Sequence, residues 1–326
     1  MRRGFARLTA FALLAGAAAL SLPAAAQNYP DRPIHFYISS GPGTPPDIIM
    51  RVIADALGRD EHWTVVPENK QGASQTIAGN EVLRRPADGY TVYGFSMPVT
   101  AAPALLERMP FSLEKDFAPV VRLTTSYNVL VVPPSSPVHK IGDLVTLLKQ
   151  NPGKMTFSSG GFGSPAHLVG EMFKLREGVS AVHVPYARMP QAIGDLMNGT
   201  NQFMFITTLP VVGLINAGKL HAIAVTAPHR VAALPDIPTV GEQGHPGLVA
   251  MDWVGLAVKA GTPQPIVARI NMAVNKALAT PEVRAALAKI GAEPAGGTPE
   301  AFGELIASQT AHWSKVVKES GIKISQ

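Results

Sequence analysis

Short apolar runs alternate along the chain with segments whose apolar residues recur at three- and four-residue spacing. Runs at 34–38, 63–66, 91–95, 128–132, 155–157, 181–184, 202–206, 222–226 and 254–258 predict strands, each a few residues long and bounded by Gly, Pro or polar residues. Helical spacing predicts helices over 47–57, 141–149, 166–175, 191–197, 265–279, 281–290 and 299–318. In the first of these, Ile48, Ile49, Val52, Ile53, Ala56 and Leu57 share a face. Alternating strands and helices predict an α/β architecture with mainly parallel sheets. Ligands in such sheets sit beyond the carboxyl ends of the strands, and loops 39–44, 158–164 and 186–190 fall at that edge. Segments 120–132 and 220–226 are read as strands that cross between two domains, with a ligand cleft between the domains and hinge closure around it. The division expected is a leader at 1–26, a discontinuous first domain at 27–123 plus 228–326, and a second domain at 124–227.

The first 26 residues read as a cleavable signal peptide: Arg2, Arg3 and Arg7 precede an apolar, Ala-rich stretch and the small-residue site Ala24-Ala25-Ala26. The apolar stretch is shorter than the roughly 18 residues that a membrane span needs, and no later segment approaches that length. Loss of those three arginines lowers the formal charge from +5 to +2, and no Lys/Arg cluster remains to bind nucleic acid. With zero Cys, disulfides, zinc-thiolate sites and thiol catalysis are excluded. The nine His residues are scattered, so no metal site and no cofactor are expected. A mature chain of roughly 300 residues suits two domains and can bury a large core.

Two loops carry the candidate chemistry. Ser39-Ser40-Gly41-Pro42-Gly43-Thr44-Pro45-Pro46-Asp47 joins a strand to a helix N-terminus, where free amides and the helix dipole favour an anion. Thr44 reads as the N-cap and Asp47 as its N3 partner in a capping box. Pro45 and Pro46 fit the first helical turn but donate no N–H, so the donors expected are the amides of Gly41, Gly43, Thr44 and Asp47 and the hydroxyls of Ser39, Ser40 and Thr44. The second loop, Ser158-Ser159-Gly160-Gly161-Phe162-Gly163-Ser164-Pro165, repeats the device, with Ser164 as N-cap, Pro165 at N1 and His167 at N3. Ser159 and Gly163 are expected near the ligand, because glycines keep the backbone accessible. Gly161-Phe162-Gly163-Ser164-Pro165-Ala166 mimics a dinucleotide fingerprint but lacks the acidic residue about 20 positions on. His167 beside Ser164 hints at a hydrolase dyad, but no Gly-x-Ser-x-Gly elbow exists, so His167 is expected as a capping or ligand-contact residue.

The order of short motifs resembles the periplasmic substrate-binding proteins of tripartite tricarboxylate transporters, the Bordetella-uptake-gene type. The residues that carry the likeness include Tyr29-Pro30-Asp31-Arg32-Pro33-Ile34, Glu68-Asn69-Lys70-Gln71-Gly72-Ala73, Pro86-Ala87-Asp88-Gly89-Tyr90-Thr91, His183-Val184-Pro185-Tyr186 and Trp253-Val254-Gly255-Leu256. The resemblance covers nearly the whole mature chain. It implies a two-domain Venus-flytrap fold of type II-like periplasmic binding proteins, with a central cleft. It also implies a monomer in the Gram-negative periplasm that binds a small organic carboxylate and docks transiently to inner-membrane permease subunits. In the family, a ligand carboxylate is held by the first loop and by the loop after the second strand. Here that implies Gly72, Ala73 and Ser74, with Ser96 at the end of the third strand within reach of the cleft. In the second domain Tyr186, Arg188 and Thr207 complete the candidates, Arg188 as a bidentate partner for a second carboxylate and Met189 as an apolar contact. Some family members carry an Asp where this chain has Thr207-Thr208, so the expected solute is a carboxylate without a free amine. A periplasmic hydrolase using the same cleft, or a ligand-sensing partner of a membrane kinase, are the alternatives that remain open.

Overall fold

The structure, a computed structural model, describes residues 29–322, and the leader expected at 1–26 lies outside them. The first sheet runs from β10 (Glu293–Pro294) through β4 (Phe117–Val132), β9 (Met251–Lys259), β3 (Thr91–Ser96) and β1 (Ile34–Ile38) to β2 (Val65–Asn69). The interior strand β1 (Ile34–Ile38) buries Ile34, Phe36, Tyr37 and Ile38, as a strand covered on both faces must. β1 pairs in parallel with β2 (Val65–Asn69) and with β3 (Thr91–Ser96). Helix α1 (Pro45–Glu61) lies between β1 and β2, and α2 (Thr76–Leu83) between β2 and β3. The latter was not anticipated, because Gly79 and Asn80 weaken its helical pattern. Gly79 is there for space: a Cβ at that position would come within 2.5 Å of the Phe111 ring.

After two short helices, α3 (Ala102–Leu105) and α4 (Leu113–Asp116), the chain enters the long strand β4 (Phe117–Val132). The first part of β4 runs antiparallel to β9 (Met251–Lys259). Their register slips between Pro119 and Val121, where proline offers no ladder donor. The second part of β4 pairs antiparallel with β7 (Met204–Thr207) and β8 (His221–Val225). β5 (Thr156–Ser159) and β6 (Val182–Pro185) form a parallel pair, tied to the segment that leads into β7 by Gln202 N–H donating to Thr156 C=O at 3.1 Å. Helices α5 (Ile141–Gln150), α6 (Pro165–Glu177), α7 (Met189–Met197) and α8 (Val212–Asn216) accompany this second group. The chain ends with α9 (Gln264–Ala279), α10 (Pro281–Lys289), the short β10 (Glu293–Pro294) and α11 (Pro299–Ser320).

Two expectations need correction. The sheets are mixed rather than mainly parallel, since β9 inserts antiparallel between β3 and β4. Strand direction there is set by a chain return more than a hundred residues long, which local periodicity does not encode. Segment 220–226 does not cross between the sheets either. β8 meets β4 only at residues 129–132, and Thr239 then bridges Val225 and the Gln243 amide donates to Ile223 C=O. The return is made by β9, whose Met251 and Asp252 lie opposite Tyr127 and Ser126.

Helix α11 joins the two halves. Phe302, Ile306, Trp313, Val316 and Val317 are buried in one apolar cluster that contains Phe95 and Trp253 of the first sheet and Phe157, Phe173 and Phe205 of the second unit. Phe302 packs against Phe95 and Trp253 with ring centroids 5.9 and 5.3 Å away.

Candidate functional site

A cavity of about 420 Å³ opens between the two units, lined from both sides. One wall is the start of α1 (Thr44, Pro45, Pro46) with Ser40, Ser74, Gln75 and Ser96. The facing wall is the start of α6 (Ser164, Pro165, Ala166) with Gly160, Phe162 and Gly163. The floor comes from the two strands that link the sheets, through Ser126 and Asn128 of β4 and Asp252 and Val254 of β9, together with Thr207 of β7. Two helix N-termini therefore converge on one space, where their dipoles favour negative charge.

The first loop is built differently from the expected capping box. Thr44 occupies the N-cap position, but its hydroxyl donates to Gly41 C=O at 2.7 Å and lies 3.0 Å from Ser40 Oγ, whose own proton it can accept. Asp47 accepts from the Gly43 amide (2.8 Å), Asn69 Nδ2 (2.8 Å) and Arg51 Nε (3.0 Å). Burial pushes its carboxyl up, but the bonds from Asn69, Gly43 and Arg51 outweigh that and hold it below the usual carboxylate range. Asp47 and Gly43 thus brace the loop internally, and neither lines the cavity. The Thr44 amide is also spent, on Gly41 C=O.

Gln75, which no motif in the sequence marks, lines the cavity as well. Its side chain accepts from Ser39 Oγ (2.8 Å) and the Ser96 amide (3.0 Å) and donates to Ser96 Oγ (2.8 Å), tying the ends of β1 and β3 to the loop before α2. Ser39 is buried beneath this clamp, and Ser96 reaches the cavity. Ala73, Ser74 and Gln75 all have left-handed backbone, with φ of 44°, 51° and 74°. Each such non-glycine residue costs roughly 1–2 kcal/mol. The turn is held by Gln75, by Tyr93 OH on the Gln75 carbonyl (2.8 Å) and by Thr76 Oγ1 on the Ala73 carbonyl (2.7 Å). It presents Ser74 to the cavity while Gly72 and Ala73 face solvent away from it.

In the second loop, Ser164 Oγ accepts from the His167 amide at 3.4 Å and donates to Gly161 C=O at 2.7 Å, so it caps α6 as expected. His167 is buried behind the loop, and its Nδ1 accepts from the Gly163 amide at 3.0 Å. Its ring stacks on His183 with centroids 3.9 Å apart. Burial first, then the neighbouring His183 and Lys174, lower His167 to about 3; burial and Lys174 lower His183 to about 4. Both rings are neutral at physiological pH. Ser159 is fully buried, outside the cavity, with Oγ 2.6 Å from His183 Nε2. His183 Nδ1 has no partner among the described residues, so no third group orients this Ser–His pair.

Tyr186 is also turned to structural use, its hydroxyl donating to Asp195 (2.7 Å) and accepting from Asn201 (2.8 Å). Arg188 is exposed and does not line the cavity, whereas Met189 does. Of the sixteen candidate residues, Ser40, Thr44, Ser74, Ser96, Gly163, Ser164 and Thr207 come together around the cavity. Among the described residues no Lys, Arg or His lines it, and the one ionisable side chain is Asp252. Asp252 Oδ1 accepts from the Trp253 amide at 2.9 Å, and burial raises the carboxyl to about 7 against that bond. Among the described residues no group of His, Asp or Glu is placed to hold a metal ion, and no helix is long and apolar enough to cross a membrane.

Comparison with known proteins places this geometry in context. Residues 49–322 match the family described as Tripartite tricarboxylate transporter family receptor. Protein BugT of Bordetella pertussis is 32% identical over 97% of this chain and 98% of its own length. Among solved structures, R. palustris Rpa4515 with adipate is 30% identical with a TM-score of 0.80, covering 91% of this chain and 100% of that one. MatC (Rpa3494) from Rhodopseudomonas palustris with bound malate is 27% identical with a TM-score of 0.78, covering 89% and 100%.

Proposed function

The chain belongs to the tripartite tricarboxylate transporter receptor family, and from that premise we propose that it is a periplasmic receptor that captures a small carboxylate-bearing solute between its lobes. It then presents the solute to a two-component inner-membrane permease. The observation that carries this reading is the convergence of the α1 and α6 N-termini, with the hydroxyls of Ser40, Ser74 and Ser96, on one cavity that has no basic side chain among the described residues. Neutral donors and helix dipoles suit an anion that must be released again. The adipate and malate held by structural relatives support a carboxylate as the solute class. Export by the segment 1–26 accords with this location. Lobe boundaries near residues 125 and 250 are favoured over a break at 227–228, because residues 239–248 stay against the second sheet.

A hydrolase reading has less support: the Ser159–His183 pair is shut off from the cavity and lacks an orienting acid. A thermal-shift panel of mono-, di- and tricarboxylates tests the receptor reading, because a ligand that binds only the native state raises apparent stability by mass action. At least one carboxylate should raise Tm while its amide does not. A panel in which no carboxylate registers would overturn the proposal.

A further inference from the structure

The cavity floor carries chemistry that the two loops do not explain. The β4–β9 register sets Ser126 opposite Asp252, and the β4–β7 register sets Asn128 opposite Thr207. Ser126 and Asn128 are two residues apart on one strand and so share a face. Asn128 is 1% exposed and lines the cavity, yet neither its Oδ1 nor its Nδ2 has a partner among the described residues. Buried amides are nearly always paired, so an unpaired one facing a cavity points to a bound group. Beside it, Asp252 takes only the Trp253 amide, although a carboxylate can accept about four hydrogen bonds.

Resting on the receptor reading, we propose that Asp252, Asn128 and Ser126 form a subsite for a hydrogen-bond-donating group, ammonium or hydroxyl, at the end of the solute remote from its carboxylate. A second ionised carboxylate would meet Asp252 there without compensation: α1, α6, α7, β7 and α10 contribute no Lys, Arg, His, Asp or Glu to the cavity lining. On β4 itself, Arg122 turns to the Met251 sulfur and Tyr127 packs on His229. The expectation of an amine-free solute rested on Thr207-Thr208 lacking an acid. Asp252 supplies that acid from a different strand.

The test is calorimetry at pH 8.5, where Asp252 is ionised, with adipate, 6-aminohexanoate, 6-hydroxyhexanoate and hexanoate and their four- and five-carbon counterparts. The amino or hydroxy acid should bind at least about tenfold more tightly than the dicarboxylate of equal length. Asp252→Asn should bring that ratio close to one. Ser126→Ala, a milder change, should weaken the amino and hydroxy acids several-fold and leave hexanoate unmoved. A preference for the dicarboxylate, or a ratio unchanged in both variants, overturns the subsite but leaves the receptor standing. Failure of every carboxylate, with the fold verified by circular dichroism, overturns the receptor reading as well.

Discussion

Replacing His167 by Asn should flatten the acid side of the stability profile. The folded pKa of His167 is about 3 against an ordinary 6.5, so the unfolded chain takes up the proton first. Between those values the unfolded state binds more protons, and stability falls as pH falls. At pH 4.5 the gap amounts to roughly 2.7 kcal/mol, from two pH units below 6.5 at about 1.36 kcal/mol each. Asn keeps an acceptor for the Gly163 amide, which Nδ1 now receives at 3.0 Å, and cannot titrate. The smaller side chain loses about 1–2 kcal/mol of packing at every pH. His183 titrates in the same direction, but it is partly exposed and remains in the variant. Asp252 works the other way: its raised pKa of about 7 means the folded state holds a proton that the unfolded state releases, so acidification favours folding. The raw profile therefore combines opposing contributions, and the difference between variant and parent isolates His167. Urea unfolding at pH 7 and pH 4.5, followed by the fluorescence of Trp63, Trp253 and Trp313, provides the measurement. The variant should lose about 2 kcal/mol less than the parent between the two pH values. Parallel losses would refute the buried, neutral imidazole.

Pro46→Ala should restore an amide at the start of α1 and tighten carboxylate binding about two- to tenfold, since a helix N-terminal N–H favours anions; weaker binding by calorimetry would remove the anion seat from this wall. Ser164→Ala should cost about 1 kcal/mol by denaturant titration through loss of the α6 cap, and should weaken the same solute. Arg188→Ala should leave affinity within about twofold, because the side chain is exposed away from the cavity and exposed charges contribute little. Phe302→Ala should cost about 3–5 kcal/mol with the denaturant slope unchanged, because its ring fills the space over Gly255 between Phe95 and Trp253.

The apolar run of β1 and the helical spacing of α9 and α11 were legible because burial on two faces or on one stripe leaves a local period. The two helix-start loops were legible for a similar reason, since Ser, Gly and Pro mark where a strand turns into a helix. The floor was not. Ser126 and Asp252 are neighbours only because β9 returns antiparallel to β4, and no spacing in the sequence reports that pairing. Asp47 was placed correctly at the third helical position, but its carboxylate bonds one residue further back than a capping box requires. Gln75 escaped because its role depends on three successive left-handed residues, none of them glycine, and propensity argues against such a turn.

Helix α11 has a consequence for how the chain is made. It is the last element, yet its side chains complete the apolar cluster on both sides of the cleft. Neither lobe owns a finished interior until residues 302–317 arrive, so a nascent chain short of them exposes Phe95, Phe157 and Trp253. A chain cut before residue 302 should therefore stay loosely packed on both sides of the cleft.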